Sequence, residues 1–315
     1  MKKIGLGTAA IGRPQYINIK QDKTEDEDLD VFRERGLKVL DTAYEKGVRY
    51  FDTAPGYGMA EQLLLDWVQT KADDSIEIAT KWGYTYVANF DPKATIHEVK
   101  DHSLNQLLKQ WQISKELKPY LSTLQVHSAT FESGILQDEK VLNKLAELKA
   151  NQDIRIGITT TGDNQIEVLQ AAMDTLVQGI PLFEVYQVTY NILDHSLTTI
   201  ADKLLESGKR IVIKEALANG RVFRNSSYPA YQAMYDALEK MAQKYEVGVD
   251  AIALRYCMDS INPYAVLSGA SAPIQIEENL KAFNFQLDEQ ELSILKAFSL
   301  DPKLYWSERK KLDWN

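Results

Sequence analysis

Short β-favouring runs recur along this chain, and a stretch with helical periodicity follows each of them. The predicted strands are 4–8, 48–53, 76–81, 123–128, 155–160, 183–188, 210–215 and 264–269. Most are aliphatic, as strands buried on both faces are. Segments 28–46, 60–70, 93–111, 138–150, 163–177, 197–207, 229–245, 249–259, 275–283 and 288–298 carry apolar residues at helical spacing. Strands alternating with helices imply parallel pairing through crossover helices. Eight such units in about 250 residues are the content of a closed (β/α)8 TIM barrel, with a doubly wound open sheet as the alternative. No linker, low-complexity run or stronger repeat divides the chain. The expectation is one α/β barrel domain over 1–299 and a tail over 300–315, whose Trp306 and Trp314 suggest docking on the body.

Composition narrows the function. Basic residues number 36 against 45 acidic ones, a net charge of −9 that argues against a nucleic-acid surface. The single cysteine, Cys257, sits in an apolar run and allows neither an internal disulfide nor a cysteine-rich metal site. No apolar window has the length of a signal peptide or a membrane helix, so a cytoplasmic protein without a membrane partner is expected.

In a closed barrel the chemistry sits at the C-terminal ends of the strands. The second predicted strand ends on Asp52, and Tyr57 follows in a turn built from Pro55, Gly56 and Gly58. The third ends on Lys81, the fourth on His127, and the fifth on Thr159 and Thr160. Gln187 ends the sixth, with Tyr190 and Asn191 after it. The seventh ends on Lys214 and Glu215. Each residue alone has a plain structural reading: a solvated lysine, a core histidine, a packing tyrosine. Together at one end of adjacent strands they favour a site. A tyrosine titrates near pH 10, and a lysine ammonium near its hydroxyl lowers that value. An Asp paired with the lysine holds it in place, so the tyrosine becomes a general acid near neutral pH. A histidine alongside can orient a carbonyl oxygen as negative charge develops on it. His97, His102 and His195 fall in predicted helices or their starts, so no metal-ligand grouping is expected. No nucleophile motif pairs a Ser or Cys with His. Lys81 or Lys214 would also allow a Schiff-base, aldolase-like barrel, which leaves the Asp52–Tyr57 turn unexplained.

At these residues the chain resembles the aldo-keto reductase family. Gly5-Leu-Gly-Thr8, Phe51-Asp-Thr-Ala-Pro-Gly-Tyr-Gly58, Ala79-Thr-Lys81, Leu124-Gln-Val-His127, Gly157-Ile-Thr159, Gln187-Val-Thr-Tyr-Asn191 and Glu278-Asn279 match its motifs in order, from Lys3 to about Phe283. The resemblance implies a (β/α)8 barrel that binds NADP(H) or NAD(H) without a Rossmann fold and interconverts aldehydes, ketones or sugar carbonyls with alcohols. It implies Tyr57 as acid/base, Lys81 and Asp52 as its tuners, and His127 as the residue that positions the carbonyl. It also implies cofactor contacts from Gly7, Thr8, Asp52, Thr159, Thr160, Gln187, Lys214, Leu217, Gly269, Ser271, Gln275, Glu278 and Asn279. The last five match the adenosine end, where a glycine-containing loop leads into a helix N-terminus, an arrangement that favours phosphate.

Three departures stand out. Thr159-Thr160 replaces the Ser-Asn that many members carry. Lys214-Glu-Ala-Leu217 replaces an aromatic followed by Ser-Pro-Leu, so the ring that stacks on the nicotinamide comes from elsewhere or is absent. Ser271 stands where many members have an Arg for the 2′-phosphate of NADP, which leaves NAD open. Some relatives, the potassium-channel β subunits, bind cofactor as interaction or sensor proteins, and that is the alternative to an enzyme. Substrate choice falls to the mouth loops, with Trp82, Tyr84, Tyr86, Phe131 and Tyr228 as candidate lining. A monomer or small homo-oligomer acting on a small molecule is expected.

Overall fold

The computed structural model describes residues 3–14, 28–91 and 93–312. Strands β1 (Lys3–Gly7), β2 (Tyr50–Asp52), β3 (Glu77–Trp82), β4 (Leu121–Ala129), β5 (Arg155–Thr160), β6 (Val185–Thr189), β7 (Arg210–Lys214) and β8 (Ala265–Ser268) form a closed barrel. Neighbours in the ring are neighbours in sequence, and every pair is parallel. The barrel is closed because β1 pairs with both β2 and β8. The open-sheet alternative is thereby excluded.

Strand periodicity decides what faces inward. Tyr50, Ala79, Val185, Val212, Ala265 and Leu267 form an apolar cluster separate from the layer between strands and helices. Two residues further along β2, β3 and β6, the same inward face presents Asp52, Lys81 and Gln187. Apolar side chains therefore fill the middle of the barrel, and polar ones fill its C-terminal end. Tyr264 and Arg210 plug the opposite end. The Arg210 guanidinium lies 4.0 Å from the Tyr264 ring centroid, and both side chains engage Glu77.

The predicted helix over 93–111 needs correction. Glu98–Lys100 is a strand, paired antiparallel with Tyr84–Tyr86, and the helix runs only from Leu104 to Ser114. The apolar residues that suggested helix, Ile96 and Val99, are 63% and 48% exposed. Ser103 caps the true start by accepting from the Gln106 N–H. The helix predicted to reach residue 177 ends at Met173, because Leu176–Val177 pairs with Ile180–Pro181 across a Gln178-Gly179 turn of positive φ. His97 lies in the loop before the 98–100 strand and His102 just before the 104–114 helix, not inside helices. The segment after residue 299 contains a helix, Pro302–Arg309, that buries Tyr305 and Trp306; Trp314 lies outside the described residues. Cys257 is buried and unpaired. Among the described residues no helix is long and apolar enough to cross a membrane.

The turn after β2 is held by close backbone contact with residues 12 and 13. The Met59 N–H donates to the Gly12 carbonyl, and Gly58 turns at φ +63°. A Cβ on Gly12 would lie 2.1 Å from the Tyr57 carbonyl oxygen and 2.3 Å from the Ala60 Cβ. Only glycine fits there. Behind β3, the buried Glu61 carboxylate accepts from Thr80 and, at 2.8 Å, from the Ser114 hydroxyl. Burial raises its pKa to about 7 against those hydrogen bonds.

Two outcomes follow from these contacts. Gly12→Ala is expected to lower stability by about 1–3 kcal/mol in urea denaturation and to displace the Tyr57 turn, with loss of turnover. Glu61 has a folded pKa above its unfolded one, so the folded chain holds the extra proton and stability is lost as pH rises from about 4.5 to about 7. Glu61→Gln should remove that part of the slope, as read by denaturation midpoints measured at about pH 5 and about pH 7.5.

Candidate active site

Asp52 is the inward residue at the end of β2 and is 2% exposed. Its carboxylate accepts from the Lys81 ammonium on β3, from Gln125 Nε2 on β4 at 3.1 Å and from Gln187 Nε2 on β6 at 2.7 Å. Lys81, 1% exposed, also donates to the Thr53 carbonyl at 3.1 Å. Thr8 fixes the strand end, its N–H and hydroxyl donating to the Asp52 carbonyl at 2.9 and 3.1 Å. Four strands thus meet on one carboxylate. Removing either member of the Asp52–Lys81 pair would leave a buried charge uncompensated.

Tyr57 lies above this pair. Its ring centroid is 4.8 Å from Lys81 Nζ and 5.5 Å from the Arg13 guanidinium carbon. Its hydroxyl is 3.5 Å from His127 Nε2, with the two rings edge to face at 5.4 Å. This corrects the expected wiring. The Lys81 ammonium lies under the ring and donates to Asp52 and Thr53, whereas the hydroxyl is directed at His127. The expected lowering of the tyrosine pKa is absent too. Burial, and then the Asp52 charge, push it well above 10, with Arg13 opposing. Tyr57 is therefore a protonated phenol that can donate.

His127 is 8% exposed and is packed by the Tyr84 ring at 4.7 Å. Burial, with the charges of Lys81, Lys214 and Arg13, holds its pKa well below the usual histidine range. It is a neutral imidazole, and its Nδ1 is buried without a hydrogen-bond partner. His102 Nε2 donates to the His127 carbonyl at 2.9 Å and so braces the strand end.

Several contributors were not singled out in the sequence. Arg13 follows the short helix Ala9–Gly12 and donates to the Gly56 carbonyl at 3.0 Å and to Glu98 at 2.8 Å. Gln125 precedes His127 by two residues, so strand alternation alone would place it inward beneath the histidine. Glu98 was hidden by the mistaken helix. Of the aromatics expected around the mouth, Trp82 is 1% exposed and stacks edge-on against His102 outside the barrel lumen.

The predicted cofactor residues fall into distinct groups. Thr160 Oγ1 and Thr189 Oγ1 are buried without partners, hydroxyls that fit an added amide. Thr159 Oγ1 accepts from the Ser128 N–H at 2.7 Å and keeps its own proton to donate. The Gln187 amide nitrogen is spent on Asp52. Gly7 lines the β1 end, and Leu217 packs partly buried beyond β7. Past β8, a Cβ on Gly269 would meet nothing within 4 Å, and the helix Pro273–Leu280 has no side-chain cap. Open space before an uncapped helix N-terminus suits phosphate. There the Gln275 side chain accepts from the Ser271 N–H at 2.8 Å, and Glu278 pairs with Lys281. Asn279 is buried, its amide engaged by Ser268 and Asp250.

At the end of β7, Glu215 adopts φ +54° and binds Arg309 of the C-terminal helix at 2.9 Å and the Tyr305 hydroxyl at 3.3 Å. Burial alone would raise its pKa, but Arg309 and Lys214 bring it down to about 2. Lys214 itself is half-buried.

The described residues hold no group of His, Cys, Asp and Glu that could bind a metal. The arrangement sets a protonated phenol beside a neutral imidazole above a buried ion pair. Comparison with known proteins identifies the family. The chain is 24% identical to the NADH-specific methylglyoxal reductase of Escherichia coli, over 95% of each chain. It is 26% identical to L-galactose dehydrogenase of Arabidopsis thaliana, over 82% of each. Its fold matches that of the glycerol dehydrogenase AKR11B4 of Gluconobacter oxydans with a TM-score of 0.71, at 20% identity and covering 94% and 90% of the two chains. The family model described as the aldo/keto reductase family matches residues 3–299, so the chain belongs to that family of oxidoreductases.

Proposed function

We propose that this chain reduces a small aldehyde, ketone or sugar carbonyl, or oxidises the alcohol in reverse, with Tyr57 as the general acid/base. The observation that carries this reading is the placement of a protonated Tyr57 hydroxyl beside neutral His127, over the buried Asp52–Lys81 pair. A bound reduced nicotinamide supplies the hydride that reaches the carbonyl carbon. The residues of the chain do the rest. His127 and Tyr57 together hold the carbonyl oxygen, and Tyr57 gives it a proton as negative charge grows there. The nearby Lys81 charge favours the phenolate that this leaves, while Asp52, Gln125 and Gln187 keep the lysine in place. Preorganised donors in a water-poor site stabilise developing charge more than water does. Thr159, Thr160 and Thr189 are the proposed partners of the cofactor amide. Gly7, Thr8, Leu217 and Gly269 shape its path, and the Pro273–Leu280 N-terminus receives its phosphates.

NADH is the proposed cofactor. Ser271 carries no charge, and Lys281, at the end of the Pro273–Leu280 helix, is already paired with Glu278. A 2′-phosphate would meet carboxylates there rather than a free cation. The relative named above as NADH-specific fits this reading. A Schiff-base role for Lys81 conflicts with its ion pair to Asp52.

Tyr57→Phe should lower kcat by about 10²–10⁴-fold while NADH affinity, read by fluorescence titration, stays nearly unchanged. Retained turnover would remove Tyr57 from the proton path, and tight cofactor binding with no turnover across an aldehyde, ketone and sugar panel would favour a sensor. In the same titration NADH should bind at least about tenfold tighter than NADPH, a difference of about 1.4 kcal/mol. Tighter NADPH would overturn the cofactor assignment.

A further inference from the structure

Most cations around the inner mouth have a partner, and Lys100 donates to the Ser128 carbonyl at 2.8 Å. Lys81 is paired with Asp52, Arg13 with Glu98, and Arg309 with Glu215. Lys214 has no such partner. It makes no hydrogen bond and no ion pair among the described residues, although it is half-buried. Glu215, its neighbour in sequence, is turned by a positive φ toward Arg309 and Tyr305 on the C-terminal helix.

Lys214 also faces the reacting position. Val212 belongs to the inward cluster of the barrel, and Lys214 is the next inward residue of β7, at its C-terminal end. In the ring of strands, β7 stands opposite β3, which carries Lys81. The Lys214 charge acts on His127 in concert with those of Lys81 and Arg13. Burial draws its own pKa down to about 8, with Glu215 opposing, so the ammonium persists at neutral pH. A half-buried ammonium that feels Glu215 only beyond ion-pair distance and makes no hydrogen bond is unfavourable in the free protein, and an anion that reached it would relieve that cost and gain a charge-assisted hydrogen bond.

We infer that Lys214 anchors a carboxylate or phosphate group of a ligand in the mouth, and that this group belongs to the substrate, an anionic carbonyl compound such as an aldehyde acid or an oxo acid. The inference rests on the carbonyl-reductase reading for the name of the substrate class, and on the unpaired cation alone for the anion. The chain position supports the substrate as the source. Lys214 lies across the lumen from Tyr57 and His127, whereas the open, uncapped phosphate-suited segment begins past β8 at Gly269.

Succinic semialdehyde and butyraldehyde have the same chain length and differ in the carboxylate. With NADH, the wild-type protein should show a higher kcat/KM for succinic semialdehyde. Lys214→Met should cut the ratio of the two kcat/KM values by about tenfold or more, and Lys214→Arg should restore most of it. NADH affinity, read by fluorescence titration, separates the sources. If Lys214→Met weakens NADH binding about tenfold and leaves the substrate ratio intact, the anion is a cofactor phosphate and the substrate assignment is overturned. If neither the ratio nor NADH affinity changes, Lys214 is no anion site. Calorimetric titration with succinate reads the same cation without turnover. Wild-type binding that is lost in Lys214→Met upholds the anion site even if neither aldehyde is reduced, an outcome that would sink the reductase reading alone.

Discussion

The buried Asp52–Lys81 pair is the contact on which the rest of this structure depends. Two opposite charges, each almost fully removed from water, are tolerable only when both are paired and hydrogen-bonded. Gln125 and Gln187 supply amide donors to the carboxylate, and the Thr53 carbonyl takes up the lysine. The barrel interior makes this possible, because its strands send side chains to a common axis at the same height. The pair in turn sets what lies above it. Burial is the largest influence on the phenol above it and, with the Asp52 charge, holds it protonated against the opposing Arg13 guanidinium.

The turn that carries Tyr57 is held from outside the barrel as much as from within. Gly12 allows residues 12 and 13 to press against it, and Arg13 then reaches the Gly56 carbonyl and lies against the Tyr57 ring. The same Arg13 Nη1 also binds Glu98, on the short antiparallel pair that covers this side of the mouth. On the far side, Glu215 fastens the C-terminal helix through Arg309 and Tyr305. Strain gathers at that exit: Glu215, Ala218 and Asn219 all have positive φ. Non-glycine residues persist in that region only where surrounding contacts hold them. One result of that arrangement is that Lys214 forms no ion pair among the described residues.

Much of the site was legible because barrel chemistry is written at strand ends. Asp52, Lys81 and His127 could be found from aliphatic runs that stop on an ionisable residue, and Tyr57 from the breakers around it. Arg13 and Glu98 could not. Neither ends a barrel strand, and their pairing spans 85 positions of sequence, beyond any local pattern. The segment over 93–103 misled because Ile96 and Val99 have helical spacing relative to Leu104, yet both face solvent and Val99 pairs with Thr85. Apolar spacing signals a helix only when the apolar face is buried.

The sequence by itself determined the barrel, its strand order and the residue types brought to its mouth. Hydrophobic period and breaker positions are local properties, and a parallel eight-fold alternation leaves few ways to close. Only the tertiary structure decided how those residues are wired. It directed the Tyr57 hydroxyl to His127 rather than to Lys81, tied Gln187 to Asp52, and gave Glu215 to Arg309. Those choices rest on distances between strands far apart in the chain and on the cost of burying charge. No run of neighbouring residues encodes either.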